Sequence, residues 1–269
     1  SLILGLALYT ALFSSCVYED LSKCSRMFML QPRYLLHTGE GDRFGEAVHH
    51  IDVYAFDSLG IYRKMFRDKG AHLKNGYRMP IDLPEGKWTF LCLGGKVGDY
   101  EIGIFKTGIP QQFSPAVSPG ITTLSDFRVK AYFEQKENLE YSLGELFFGR
   151  LDSMEITADN GGTGVVDLMK NTNKIEVRVK GIADGSSARI TSDNGRFNSE
   201  NVTPADAGTI IYVPYYSASQ ADDTRVFQFD VLRLYTDGHL FLKLLNPDGT
   251  DVIPGFTKDL INAIMSSPA

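Results

Sequence analysis

Residues 173–182 read NKIEVRVKGI, and their alternation decides the fold class: Ile175, Val177 and Val179 fall on one side of an extended chain, Glu176, Arg178 and Lys180 on the other. Successive strand side chains point to opposite faces, so one face is predicted to pack and the other to meet water. Strict alternation of apolar and charged residues from Lys174 to Lys180 is the period-two pattern of a half-buried strand.

The same punctuation runs outward in both directions. HHIDVYAF, residues 49–56, places Ile51, Val53 and Ala55 on one side, and Asp57-Ser58-Leu59-Gly60 then turns the chain into IYRKMF, predicting a hairpin. The turn Pro84-Glu85-Gly86 leads into KWTFLCL, in which Trp88, Phe90 and Cys92 share a face and Cys92 belongs to a core strand. Further on, FQFDVLRLY and HLFLKLL flank Thr236-Asp237-Gly238, and an Asp-Gly pair between alternating runs predicts a second hairpin. Near the end Thr257 is predicted to cap a helix with Asp259 in its first turn and Leu260, Ile261, Ile264 and Met265 on its apolar face. Short alternating segments cut by Gly, Asn, Asp and Pro are the signature of sandwiches or barrels, so the chain is expected to be all-β with a short C-terminal helix. Its 269 residues are enough for two cores, and a boundary after 147 gives two β-rich units, 27–147 and 148–269.

A composition of 43% hydrophobic and 22% charged residues belongs to a folded protein, and the 12% aromatic share leans toward strands. The net charge of −6, with no Lys/Arg cluster, supplies no footprint for phosphate backbones, so nucleic acid is excluded as a partner class.

The N-terminus carries an address. SLILGLALYTALF, residues 1–13, is uncharged and too short for the roughly 20 residues of a spanning helix, but it fits the apolar region of a secretory signal. Residues 1–15 are therefore assigned to a partial signal peptide, since Ser1 stands where a basic start is expected. Phe13-Ser14-Ser15-Cys16 resembles a lipobox, in which Cys16 receives the lipid and becomes the mature N-terminus; Phe13 departs from the usual Leu. Two acyl chains on one residue give stable anchoring. Residues 16–26 then form a tether, and Glu19 and Asp20 in it resemble the acidic signal that sends lipoproteins to the outer face of the outer membrane. The alternative is a solvated linker.

Little in the sequence suggests reaction chemistry. His49 and His50 are adjacent in a predicted strand and point to opposite faces, while His37, His72 and His239 stand alone near loops. No H-E-x-x-H, G-x-S-x-G or phosphate-cradling glycine motif occurs. Asp152 and Glu155 are read as strand solubilisers, and the Asp159-Asn160-Gly161-Gly162 and Asp193-Asn194-Gly195 segments as turns without the ligand ladder of a calcium loop. No catalytic residue, metal or cofactor is assigned. Cys24 and Cys92 are open to pairing in an oxidising compartment, and a free buried Cys92 is the other reading.

Several stretches together resemble the FimB-type fimbrial anchor subunits of Bacteroidales type V pili. They are Cys16-Val-Tyr-Glu-Asp-Leu-Ser-Lys-Cys24, the VYAFDSLGIYRKMF hairpin, LPEGKWTFLCLGG at 83–95, and LFFGRLDSMEI at 146–156 followed by VVDLMKNTNKIEVRVKGI at 165–182. Trp88 and Leu93 stand where the family pattern more often has Tyr and Trp. The resemblance implies two transthyretin-like β-sandwiches in series, no enzymatic activity, and assembly by strand exchange with fimbrial shaft pilin subunits, the chain being held on the outer membrane by its N-terminal lipid. It also implies a further strand after the helix, where this sequence ends at Ala269. A shaft or tip pilin of the same superfamily is the alternative, with Arg33 and Arg43 in the region where processing would fall. A carbohydrate-binding surface lipoprotein is another, and it would gather exposed aromatics on one sandwich face.

Overall fold

The computed structural model describes residues 27–35, 41–106, 112–131, 138–139, 142–157, 162–220, 222–255 and 257–265. In chain order, the strands of the first half are β1 (Phe28–Tyr34), β2 (His50–Phe56), β3 (Tyr62–Lys69), β4 (Met79–Ile81), β5 (Gly86–Gly95), β6 (Tyr100–Lys106), β7 (Gln112–Ser114), β8 (Phe127–Ala131) and β9 (Asn138–Leu139). They are followed by β10 (Leu146–Ile156), β11 (Thr163–Lys170), β12 (Thr172–Lys180), β13 (Ser187–Ser192), β14 (Arg196–Asn198) and β15 (Ile210–Tyr212). The last are β16 (Tyr216–Ser219), β17 (Thr224–Leu232), β18 (Leu240–Leu245) and β19 (Lys258–Asp259), with one helical turn α1 (Phe44–Ala47) and a closing helix α2 (Leu260–Met265). The all-β class with a short C-terminal helix is as expected.

The strands form four sheets: β3-β2-β5-β10-β11-β1-β4, β12-β17-β16, β19-β18-β13-β15-β9 and β14-β8-β6-β7. The seven-stranded sheet is covered on both faces at its centre. On one side Phe28, Leu30, Ile51, Val53, Trp88, Phe90 and Cys92 form a core. On the other, Tyr54, Phe56, Leu91, Leu93 and Phe148 pack with Phe127, Phe197, Tyr212, Phe227 and Phe229, so this second core continues into the later sheets. The reading of β2 from its Ile51, Val53 and Ala55 face was half of the matter. Asp52, Tyr54 and Phe56 are buried too, because a central strand between two layers has no wet side.

The predicted β2–β3 hairpin is present, running from Phe56↔Tyr62 to His50↔Lys69 with a register irregularity beside its turn. Asp57 builds that turn, its carboxylate accepting from the Leu59 and Ile61 amides and the Arg63 guanidinium. The hairpin predicted around Asp237-Gly238 is not formed. β17 pairs with β12 and β16, whereas β18 pairs with β13 and β19 in another sheet. Tertiary partners capture both strand ends: the Asn194 amide donates to the Leu232 and Arg233 carbonyls, and Asp193 accepts from the backbone and ring of His239. A local turn propensity is outweighed by these bonds and by the burial of Phe227, Phe229 and Leu240 in the common core.

A boundary at 147/148 runs through β10, whose pairing with β5 holds it in the first sheet from Leu146↔Gly95 to Ile156↔Gly86. β11 joins the same sheet, and the chain changes sheets at Asn171. β14 from the later half reaches back to pair with β8. Strand spacing alone does not say which sheet a strand enters. The helix cap is also displaced. Asp259, one residue before α2, accepts from the Ile261 amide, taking the capping role expected of Thr257. Ile261 is buried while Ile264 is 43% exposed, so the apolar face is narrower than predicted.

Candidate functional site: the seated N-terminal strand

β1 lies inside the seven-stranded sheet, between β11 and β4. It runs parallel to β11 from Met29↔Thr163 to Tyr34↔Leu168, and antiparallel to β4 at Phe28↔Ile81, Met29↔Pro80 and Leu30↔Met79. Its residues alternate buried and half-buried, with Phe28, Leu30 and Pro32 pointing into the core. Pro32, which cannot donate to a ladder, sits beyond the three positions paired to β4, so its missing N–H breaks no bond on that side.

The pocket is cut for this strand. Phe28 stacks on Phe90 with ring centroids 5.8 Å apart. A side chain at Gly164, on the neighbouring strand, would place its Cβ 2.7 Å from Cζ of Phe28 and 2.8 Å from Leu151, so the bare backbone there makes room for the ring. Burying Phe28 and Leu30 contributes about 1.5–3 kcal/mol for each side chain.

The exit of the strand is stapled. Arg33 donates through Nε and Nη2 to the two carboxylate oxygens of Asp167, at 2.8 and 3.1 Å. Tyr34 packs edge-on against Phe147, centroids 4.8 Å apart. Oδ1 of Asp42 accepts from the amides of both Tyr34 and Phe44 at 3.0 Å, and the Arg43 amide donates to the Tyr34 carbonyl at 2.8 Å. Phe44, the first residue of α1, is fully buried. Both basic residues singled out as processing points are therefore held: Arg33 within a paired strand, and Arg43 between a stapled turn and a buried phenyl ring.

Of the other residues singled out from the sequence, Cys16, Glu19, Asp20 and Cys24 lie outside the described residues, as do the signal and tether, His37 and most of the Asp159-Asn160-Gly161-Gly162 turn. Cys92 is fully buried in β5 with a free thiol, and burial pushes that thiol far above its ordinary value. Asp193-Asn194-Gly195 is a structural turn: Asn194 is buried, accepting from the Tyr212 hydroxyl at 2.8 Å while donating to two carbonyls. Asp152 pairs with Arg150 on the surface.

Sequence reasoning missed one charged cluster. Asp52 is fully buried, with Nε and Nη2 of Arg67 each 2.6 Å from its oxygens and Nε2 of His50 at 2.9 Å. The hydrogen bonds to Asp52 raise the Arg67 pKa above its ordinary value. The available signal was Asp52 in register with Arg67 across the β2–β3 hairpin.

The matches to known proteins agree with this architecture. The family model for the fimbrillin-A associated anchor proteins Mfa1 and Mfa2 matches residues 21–268. The minor fimbrium anchoring subunit Mfa2 of Porphyromonas gingivalis is 24% identical over 283 aligned residues, covering 99% of this chain and 82% of its own length. The solved structure of that organism's fimbrial anchor protein Mfa2 superposes with a TM-score of 0.69 at 21% identity, covering 90% of this chain and 84% of that one. A Bacteroides ovatus protein described as a candidate adhesin gives a TM-score of 0.73 at 20% identity, covering 90% and 80%. A Bacteroides thetaiotaomicron protein described as a candidate polysaccharide-binding protein gives 0.72 at 22%, covering 90% and 82%. With the model spanning nearly every residue, and with the folds agreeing over the same length, the chain belongs to the family of fimbrillin-A associated anchor proteins Mfa1 and Mfa2.

Proposed function

We propose that this protein tethers a fimbrium to the outer membrane: Cys16 carries the lipid, Glu19 and Asp20 direct export to the outer face, and fimbrial shaft subunits dock on the folded part by strand exchange. The observation that carries the reading is the seating of β1 inside the seven-stranded sheet. A shaft subunit of the kind implied by strand exchange would lose its first strand to proteolysis and open a groove for the next subunit. Here the slot between β11 and β4 is filled by the chain's own Phe28–Tyr34, and Arg33 and Arg43 are both tied into folded structure. A protease must draw an extended segment into its cleft, and a strand paired inside a sheet does not leave without breaking its ladder. A chain that keeps β1 remains continuous with its lipidated end, which is what a tether requires.

The carbohydrate-binding alternative asks for a platform of exposed aromatic rings. Among the described residues Tyr216, at 48%, is the one largely exposed aromatic ring, which favours the tether.

The test is deletion of the gene followed by fractionation. Fimbriae should still form but appear in the medium, and restoring the wild-type gene should return them to the cells, whereas Cys16→Ala should not. Mass spectrometry of the surface protein should find acyl chains on Cys16. A bare cysteine on a freely soluble product, or fimbriae still cell-bound after deletion, would overturn the proposal. A mature N-terminus at residue 34 or 44 would assign a shaft subunit instead.

A further inference from the structure

β12 presents an unusually complete free edge. It pairs with β17 at nine consecutive positions, from Thr172↔Leu232 to Lys180↔Thr224, without a register shift. On its other side the sheet order ends. Edge strands are commonly blunted by shortness, by Pro, by a bulge, by a covering segment or by charged side chains, lysine above all. The remaining edges show these devices: β4 is three residues long and contains Pro80, β7 and β14 are equally short, and β16 has four residues. β3 is crossed at its start by residues 118–124, the Gly120 amide donating to the Tyr62 carbonyl and the Tyr62 amide to Thr122. Among the described residues β12 is not short, bulged, covered or interrupted by Pro; the device it does carry is charge, at Lys174, Glu176, Arg178 and Lys180.

The charges along β12 differ from one end to the other. Arg178 is paired with Glu176, and Lys180 with Asp222. Lys174 has no ion-pair partner among the described residues; it lines a cleft of about 580 Å³ together with His49, His50, Lys96, Val97 and Leu143. Lys96 is likewise without an ion-pair partner there. The cleft is also lined by two acids, Asp99, which accepts from the Gly144 amide at 2.8 Å, and Glu145, which bonds to Lys170. His50 is turned to Asp52.

The cleft is also preorganised. The Lys96 amide donates to the Glu145 carbonyl at 2.8 Å, and the Tyr100 hydroxyl to the Gly144 carbonyl at 2.6 Å. A Cβ on Gly144 would lie 2.2 Å from Cβ of Lys96, so only glycine lets the lysine stem lie across that loop.

We propose that β12 is a docking edge for an extended acidic segment of a partner chain, whose backbone adds a strand beside β12 while a carboxylate seats between Lys96 and Lys174. Backbone bonding along an open edge supplies affinity without demanding one sequence, and the two ammonium groups fix which end of the incoming strand goes where. A second copy of this chain is the competing occupant: antiparallel pairing of two β12 strands about Val177 sets Lys174 against Lys180 but also Glu176 against Arg178, a balance of like and opposite charges that offers no carboxylate opposite Lys174. The assignment rests on the tether reading only for the partner's identity, a fimbrial subunit.

The experiment immobilises the full chain and uses fimbriae sheared from the source strain as the probe. Lys96→Glu with Lys174→Glu, both on the surface, should weaken binding by about tenfold, and added salt should weaken wild-type binding more than that of the double variant. Glu176→Pro and Val177→Pro remove adjacent amides, one facing β17 and the other facing outward, because antiparallel bonding alternates. The variant that keeps the wild-type melting temperature should lose binding, while Val165→Asp, on a different exposed face, should not. Unchanged binding by the lysine double variant and by the stable proline variant would overturn the β12 assignment and leave the tether reading intact. Wild-type dimers that the proline variant abolishes would overturn it in favour of a second copy. Failure of wild-type protein to bind fimbriae at all would overturn both.

Discussion

The side chains of Asn171 and Asn201 exchange two hydrogen bonds, at 2.5 and 3.1 Å, in the buried corner where the chain passes from the seven-stranded sheet to β12. The Asn171 backbone closes the same corner, its amide donating to Leu146 and its carbonyl accepting from Arg233. Asn201 is held at a φ of 58°, a left-handed conformation that asparagine tolerates better than most residues. Two amides that satisfy each other out of water make one structural unit.

Asn171→Ala should therefore strand the Asn201 amide and cost about 1–3 kcal/mol of unfolding free energy. The double variant with Asn201→Ala should cost less than the sum of the single changes, because neighbours in one network do not add. Urea unfolding of the four proteins measures this, and strict additivity would mean that the pair is not coupled.

The buried Asp52 predicts an asymmetric result. Arg67→Ala leaves a carboxylate without its guanidinium at a site with no exposure, and should destabilise by about 2–4 kcal/mol; the half-exposed arginine keeps this below the largest losses seen for fully buried pairs. Replacing both residues by apolar side chains of similar volume should cost less than Arg67→Ala alone. Thermal or urea unfolding distinguishes these outcomes.

Cys92 gives a simple chemical readout. Burial holds its thiol protonated and out of reach, so a small alkylating reagent should leave it unmodified in the native protein at neutral pH and label it once denaturant is added. Rapid native labelling, followed by mass spectrometry of the peptide, would contradict the burial.

The pair of His239 and Asp193 fixes a pH window. The hydrogen bond that the His239 ring donates to Asp193, followed by the Asp193 charge, raises the imidazole above its ordinary 6.5, so that contribution is complete below 6.5 and is lost as pH rises through the folded value. For Asp193 burial acts upward, but the bonds from the His239 backbone and ring outweigh it and lower the carboxyl below its ordinary 3.8; its contribution is complete above 3.8 and fades as pH falls through the folded value. The pair is at full strength between those limits. An NMR titration should place His239 above 6.5 in the wild type and return it toward that value in Asp193→Asn.

The one-dimensional pattern of this chain decided a good deal. The alternation in NKIEVRVKGI gave β12 with its correct faces, Trp88, Phe90 and Cys92 do share one side of β5, and the turn at Asp57 forms the β2–β3 hairpin. These are local properties: a period of two and a turn residue act on the residues beside them, whatever the rest of the chain does. The family resemblance was legible for a related reason, because it rested on several such local stretches spread over the length.

Pairing between distant segments was decided only in three dimensions. The Asp237-Gly238 turn had every local feature of a hairpin, yet Asn194 and Asp193 drew its two strands into different sheets. Nothing in the spacing placed β10 and β11 with β5, set β1 parallel to a strand more than a hundred residues away, or buried Asp52. The seated β1 and the free edge of β12, which carry the functional reading, are both of this kind. A strand's own residues determine how it alternates, but whether its edges are filled or open depends on which other strands arrive beside it, and that is settled by the competition of whole faces for a common core.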